Sequence, residues 1–136
     1  MPQEIILDTS ALIAFFIPSE INHEKARKYV LAHSHVRWII LETVFNETVT
    51  WLRIKVPGYA SIQVGEILRS EHHYVNISDK DDQSIWEFFC RFHDKKWSYT
   101  DCSIAWMSRS LRIPDVFSFD HHIRQMQGLG INCVPE

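Results

Sequence analysis

The sequence predicts an α/β domain spanning residues 1–136 as one unit, with a mainly parallel, five-stranded central sheet and helices on both faces. Two observations carry that expectation. Short apolar runs alternate with segments of helical period along the whole chain, the pattern of a parallel sheet with crossover helices. The composition, 46% hydrophobic with five Trp and eight Phe, then supplies enough large apolar surface for one core.

Glu4-Ile5-Ile6-Leu7 is a β-branched, apolar run that suits a strand buried on both sides. Asp8-Thr9-Ser10 ends it, and Ala11 to Phe16 opens a helical pattern that Pro18 interrupts. Glu20 to Ala32 reads as a more polar helix with Ile21, Ala26, Tyr29 and Val30 as its apolar positions. Arg37-Trp38-Ile39-Ile40 is the second strand. From Val44 the period changes, with Phe45, Thr48, Val49 and Leu52 at i, i+3, i+4 and i+7 on one helix face, until Pro57-Gly58 stops it. Val64, Ile67 and Leu68 mark a short helix over 60–69, and Tyr74-Val75-Asn76-Ile77 a third strand.

Ser78-Asp79-Lys80-Asp81 resembles a capping box before a helix carrying Ile85, Phe88, Phe89 and Phe92. Asp79, Asp81 and Asp82 suit the positive end of that helix dipole. Ser98-Tyr99-Thr100-Asp101 opens the next helix in the same way, with Ile104, Ala105, Ser108 and Leu111 on one side. Val116 to Phe119 and Ile131 to Val134 are the fourth and fifth strands. There are no repeats and no low-complexity stretch.

Charged residues make up 23% of the chain, which does not suit a disordered segment, and the formal net charge is −3. A nucleic-acid binder usually carries a basic surplus, because neutralised phosphates supply most of its affinity. The objection weakens where acids cluster at one place and divalent cations neutralise them. Cys90, Cys102 and Cys133 make no CxxC pair, so neither a zinc ribbon nor a disulfide framework follows, and a reduced, cytoplasmic setting is expected. Met1-Pro2-Gln3-Glu4 lacks a basic leader region, and no apolar run is long enough to span a membrane.

In open parallel sheets, ligands bind at the carboxyl ends of the strands. Asp8 directly follows the first strand and Asp120 the fourth. Asp101 opens a helix that faces the same edge. Glu47 lies in the helix after the second strand, beside its apolar face. Each has a plain structural reading: an Asp after a strand is often a turn former or helix cap, and Glu47 alone suits a surface position. Taken together, the four converge. Clustered carboxylates repel, and divalent metal resolves the conflict; hard oxygen ligands suit Mg²⁺ or Mn²⁺. One or two such ions activate water and stabilise a leaving oxygen in an in-line attack on a phosphodiester. No Ser/His/Asp or Cys/His arrangement offers a comparable nucleophile.

Four motifs, in order, resemble the PIN domain family and within it the VapC-type toxin ribonucleases. Ile6-Leu7-Asp8-Thr9-Ser10-Ala11-Leu12-Ile13-Ala14 looks like the opening strand with its acid and small hydroxyl. The segment from Phe45 through Glu47 to Arg53 looks like the Glu-bearing helix. Tyr99-Thr100-Asp101-Cys102-Ser103-Ile104-Ala105 and Val116-Phe117-Ser118-Phe119-Asp120-His121-His122 look like the third and fourth acidic motifs. The resemblance implies a strand order of 3-2-1-4-5, with Asp8, Glu47, Asp101 and Asp120 holding Mg²⁺ or Mn²⁺. It implies Ser10 or Thr9 as an auxiliary hydroxyl, and Ser118, where relatives usually carry Thr, orienting Asp120. It further implies endoribonuclease chemistry leaving a 5′-phosphate and a 3′-hydroxyl, a homodimer, and a small antitoxin whose tail fills the acidic groove. Relatives often follow the last Asp with a basic residue, His and Phe; here His121, His122 and Ile123 stand there.

Other features read as structural. His72-His73 and His121-His122 are adjacent pairs expected to diverge, without zinc spacing. Phe88, Phe89 and Phe92 suit core packing better than base stacking. Arg53, Arg109, Arg112 and Arg124 suit solvated helix faces. Two rival functions remain. A phosphoacceptor receiver domain requires an Asp after the middle strand, where Glu42 stands. An inactive PIN fold used as a binding module conflicts with the complete acidic set.

Overall fold

A computed structural model describes residues 2–136. Five strands form one sheet in the order β3-β2-β1-β4-β5, and every pairing is parallel. They are β1 (Glu4–Leu7), β2 (Arg37–Leu41), β3 (His73–Val75), β4 (Asp115–Phe117) and β5 (Asn132–Val134). Successive strand side chains point to opposite faces. Ile5, Ile6 and Leu7 of β1 and Ile39, Ile40 and Leu41 of β2 are nevertheless all buried, so protein covers both faces.

The covering helices are α1 (Thr9–Phe16), α2 (His23–Ala32), α3 (Glu42–Lys55), α4 (Ala60–Glu71), α5 (Asp79–Arg91), α6 (Tyr99–Leu111) and the short α7 (His121–Arg124). Among the described residues none is long and apolar enough to cross a membrane. Leu52 and Val44 of α3, Leu68 of α4, Ile85 of α5 and Ile104 and Met107 of α6 are buried in the core. Phe88 is buried with them, and Phe92 and Trp97 stack around it, so the phenylalanine stripe is core packing. Arg53, Arg109, Arg112 and Arg124 are all exposed.

Several boundaries differ from the sequence reading, each for a visible reason. The second helix begins at His23 rather than Glu20, because turns from Ile17 to Glu20 and from Glu20 to His23 intervene after Pro18. The third strand stops at Val75 rather than Ile77, because the Ile77 amide donates to the Glu42 carboxylate at 2.7 Å instead of to the ladder. The fourth strand stops at Phe117 rather than Phe119. The Ser118 amide still reaches Val134 O, but the Phe119 and Asp120 amides turn to the hydroxyls of Ser10 and Ser118. The sheet's regular pairing thus ends where the acidic residues begin.

Candidate active site

β1 and β4 are neighbours, and their carboxyl ends fix the first acid. The Asp8 amide donates to Phe117 O at 3.0 Å, and the Asp8 carbonyl accepts the first amides of α1 from Ala11 and Leu12. A strand running straight into a helix leaves Asp8 with extended dihedrals and its side chain buried, 3% exposed. Its Oδ2 accepts hydroxyl bonds from Ser118 at 2.6 Å and Ser10 at 2.8 Å. Those same hydroxyl oxygens accept the Asp120 amide at 3.0 Å and the Phe119 amide at 2.9 Å. Two serines therefore tie one carboxylate to the segment that carries another. Of the two hydroxyls expected beside Asp8, Ser10 is the one in contact; the Thr9 hydroxyl is buried without a hydrogen-bond partner among the described residues. Ser118 orients Asp8 directly and holds Asp120 through its backbone.

Asp101 is the third residue of α6, where it completes a capping box: its Oδ2 accepts the Ser98 amide and its own amide donates to Ser98 Oγ, both at 3.0 Å. The plain reading of Asp101 as a cap is correct. It is nonetheless buried and electrostatically coupled to the site. Asp120 caps α7, its Oδ1 accepting the His122 amide at 2.9 Å.

Burial pushes the Asp8 carboxyl up to about 6; the Ser118 and Ser10 hydroxyls pull it back, and the charges of Asp101 and Asp120 raise it further. Burial likewise raises Asp101, the Ser98 amide opposes it, and Asp120 adds to the rise. Three carboxylates thus share one field. Among the described residues no Lys or Arg pairs with any of them.

Glu47 stands apart. Thr43 and Ser103 hydroxyls lie 2.7 Å apart and fasten α3 to α6. Glu47 lies one turn further along α3, exposed, in a groove of about 530 Å³ shared with Thr43, Thr100 and Trp51. Among the described residues it has no hydrogen bond or ion pair with the other three acids. Trp51 also lines a second hollow of about 290 Å³, beside Ser10 and Phe119. The structure therefore couples Asp8, Asp101 and Asp120 electrostatically and leaves Glu47 in a groove that Thr100, the residue before Asp101, also lines.

The histidine pair departs from its expected divergence. The rings of His121 and His122 lie 4.1 Å apart, and both Nδ1 atoms face Asp120 Oδ1, at 3.6 and 3.4 Å. His122 Nδ1 is also 3.6 Å from Asp101 Oδ2, which makes it the base nearest to two of the acids. Consecutive residues diverge in a strand but stand only about 100° apart at a helix start, and Asp120 as the cap gives both rings a common target. That adjacency to a capping acid was the available signal. His73, by contrast, bonds Arg37 across the sheet.

The donor set suits a hard divalent cation. Carboxylate oxygens dominate it, and a carboxylate pressed towards protonation by burial first and by two like charges beside it gains most from a cation among them. Such a site can polarise a phosphate and ionise a water.

Comparison with known proteins gives a consistent picture. The model of a family described as the PIN domain matches residues 5–129. No curated protein sequence matches. Among solved structures, VapC20 of Mycobacterium tuberculosis, a sarcin-ricin loop cleaving toxin, aligns with a TM-score of 0.78 at 22% identity, over 85% of this chain and 89% of that one. FitAcB from Neisseria gonorrhoeae aligns with a TM-score of 0.66 at 13% identity, over 95% of each chain. PAE2754 from Pyrobaculum aerophilum aligns with a TM-score of 0.65 at 15% identity, over 98% and 91%.

Proposed function

The chain belongs to the PIN domain family, and from that premise we propose that it is a divalent-metal-dependent endoribonuclease, the toxin of a toxin–antitoxin pair. The observation that carries the reading is the coupled trio of buried Asp8, buried Asp101 and half-buried Asp120 at the carboxyl edge of the sheet, linked through Ser118 and His122. The similarity to VapC20, a toxin that cleaves the sarcin-ricin loop, supports the substrate class.

In this reading Asp8, Asp101 and Asp120 hold Mg²⁺ or Mn²⁺, and Glu47 contributes from the adjoining groove. The bound cation supplies an ionised water and neutralises charge on the phosphate oxygens. The protein's own work is positioning. Ser10 and Ser118 fix the Asp8 oxygen, Ser98 fixes Asp101, and the His122 amide fixes Asp120. Trp51 and Phe119 offer aromatic surface against which an unpaired base can stack. Hydrolysis then leaves a 5′-phosphate and a 3′-hydroxyl. A homodimer and a small antitoxin whose tail covers the acids complete the proposal.

The strand order speaks against the receiver alternative, whose sheet runs 2-1-3-4-5 rather than 3-2-1-4-5. The test between nuclease and inactive module is cleavage. Purified protein with Mg²⁺ or Mn²⁺ cuts RNA to 5′-phosphate products, and Asp8→Asn or Asp101→Asn lowers the rate at least a thousandfold while the circular dichroism spectrum is unchanged. Undiminished cleavage by both variants, or none by the wild type with either ion, contradicts the assignment.

A further inference from the structure

The Asp120-His121-His122 turn holds a second kind of donor set beside the carboxylate trio. One carboxylate oxygen and one imidazole nitrogen from each histidine lie within 4.8 Å of one another. The two His Nδ1 atoms stand 3.6 and 3.4 Å from Asp120 Oδ1. Those spacings are too long for charge-assisted hydrogen bonds, which fall at about 2.7–2.9 Å. They match instead two edges of a tetrahedron. Bonds of about 2.0–2.2 Å from Zn²⁺ to nitrogen or oxygen put neighbouring ligand atoms about 3.3–3.5 Å apart. Asp120 Oδ1 is held in place by the His122 amide, so one donor is preset.

We infer that Asp120, His121 and His122 form a binding site for a zinc-class divalent ion, distinct in ligand chemistry from the hard-oxygen site of Asp8 and Asp101. Imidazole donors favour Zn²⁺ over Mg²⁺, which takes oxygen ligands and dehydrates reluctantly. His121 is exposed and Asp120 and His122 half-buried, so the remaining coordination positions are open to water. Asp120 belongs to both donor sets, which makes zinc a competitor for the magnesium site. The zinc site itself does not rest on the nuclease reading.

The experiment is calorimetric titration of the metal-free full chain with Zn²⁺ alone and with Mg²⁺ alone, on the wild type, His121→Ala, His122→Ala and Asp8→Asn. The exposed positions of His35, His73, His93 and Cys90 make the difference between variants, rather than total uptake, the readout. Zinc affinity falls at least tenfold in each His variant and is retained within about threefold in Asp8→Asn. Weakening of less than tenfold in both His variants overturns the site. Magnesium affinity reads the other proposal, falling in Asp8→Asn and persisting in His121→Ala. The two ideas therefore fail separately. Unchanged circular dichroism of His121→Ala, whose side chain is exposed, excludes misfolding as the cause.

Discussion

Burial holds the Asp8 carboxyl near 6, well above its ordinary 3.8, so the folded chain keeps a proton that the unfolded chain gives up. The sign of the linkage follows. Stability from this group is fully present below about pH 4 and is lost as pH rises through about 6. Two pH units correspond to about 3 kcal/mol between the extremes. Metal-free wild type therefore loses stability relative to Asp8→Asn across that window. Thermal unfolding of both in a chelator, from pH 4 to pH 7.5, reads it: the variant gains on the wild type by several degrees, and parallel curves contradict the account. This residue shows why sequence reasoning located the acid but not its state. Asp8 was marked by its place after a buried strand, whereas its state also depends on hydroxyl bonds from Ser10 and Ser118, which lie 108 residues apart in the chain.

At the scale of elements, helix α6 joins stability to the site. Ser98 caps it and binds Asp101 in both directions: its hydroxyl accepts the Asp101 amide and its backbone amide donates to the Asp101 carboxylate, so the cap sets where that amide meets the acid. Ser78 makes the same capping bond at α5 but touches none of the site acids. Ser98→Ala and Ser78→Ala should each cost about 1 kcal/mol, measured by denaturant unfolding. Only Ser98→Ala should also lower RNA cleavage, by about tenfold or more, and Ser98→Thr should restore it. Equal activity of the two Ala variants would show that Asp101 needs no such positioning. Both caps were legible because Ser-x-x-Asp precedes an apolar helical period. The ends of β3 and β4 were not, because side chains at Glu42, Ser10 and Ser118 capture amides that the local pattern assigns to strands.

Across the whole molecule, parallel pairing followed from alternating runs, and the strand order from the family resemblance that four ordered motifs carry. Consecutive apolar residues such as Ile39-Ile40-Leu41 are what a strand covered on both faces requires. Placement of the site was only partly legible. Asp8, Asp101 and Asp120 are electrostatically coupled because β1, β4 and the start of α6 share one edge, while Glu47 depends on how α3 packs against α6, where the Thr43 and Ser103 hydroxyls meet. The histidine pair was misjudged because its geometry belongs to a helix start. The net charge of −3 is compatible with RNA once the acids are gathered around cations.

A shared cation among Asp8, Asp101 and Asp120 is the claim on which the function turns. Titration of the metal-free protein with Mn²⁺, followed by the loss of its free-ion paramagnetic resonance signal, measures it directly. Binding should weaken at least tenfold in Asp8→Asn, in Asp101→Asn and in Asp120→Asn alike. Wild-type affinity for Mn²⁺ in all three variants would contradict it.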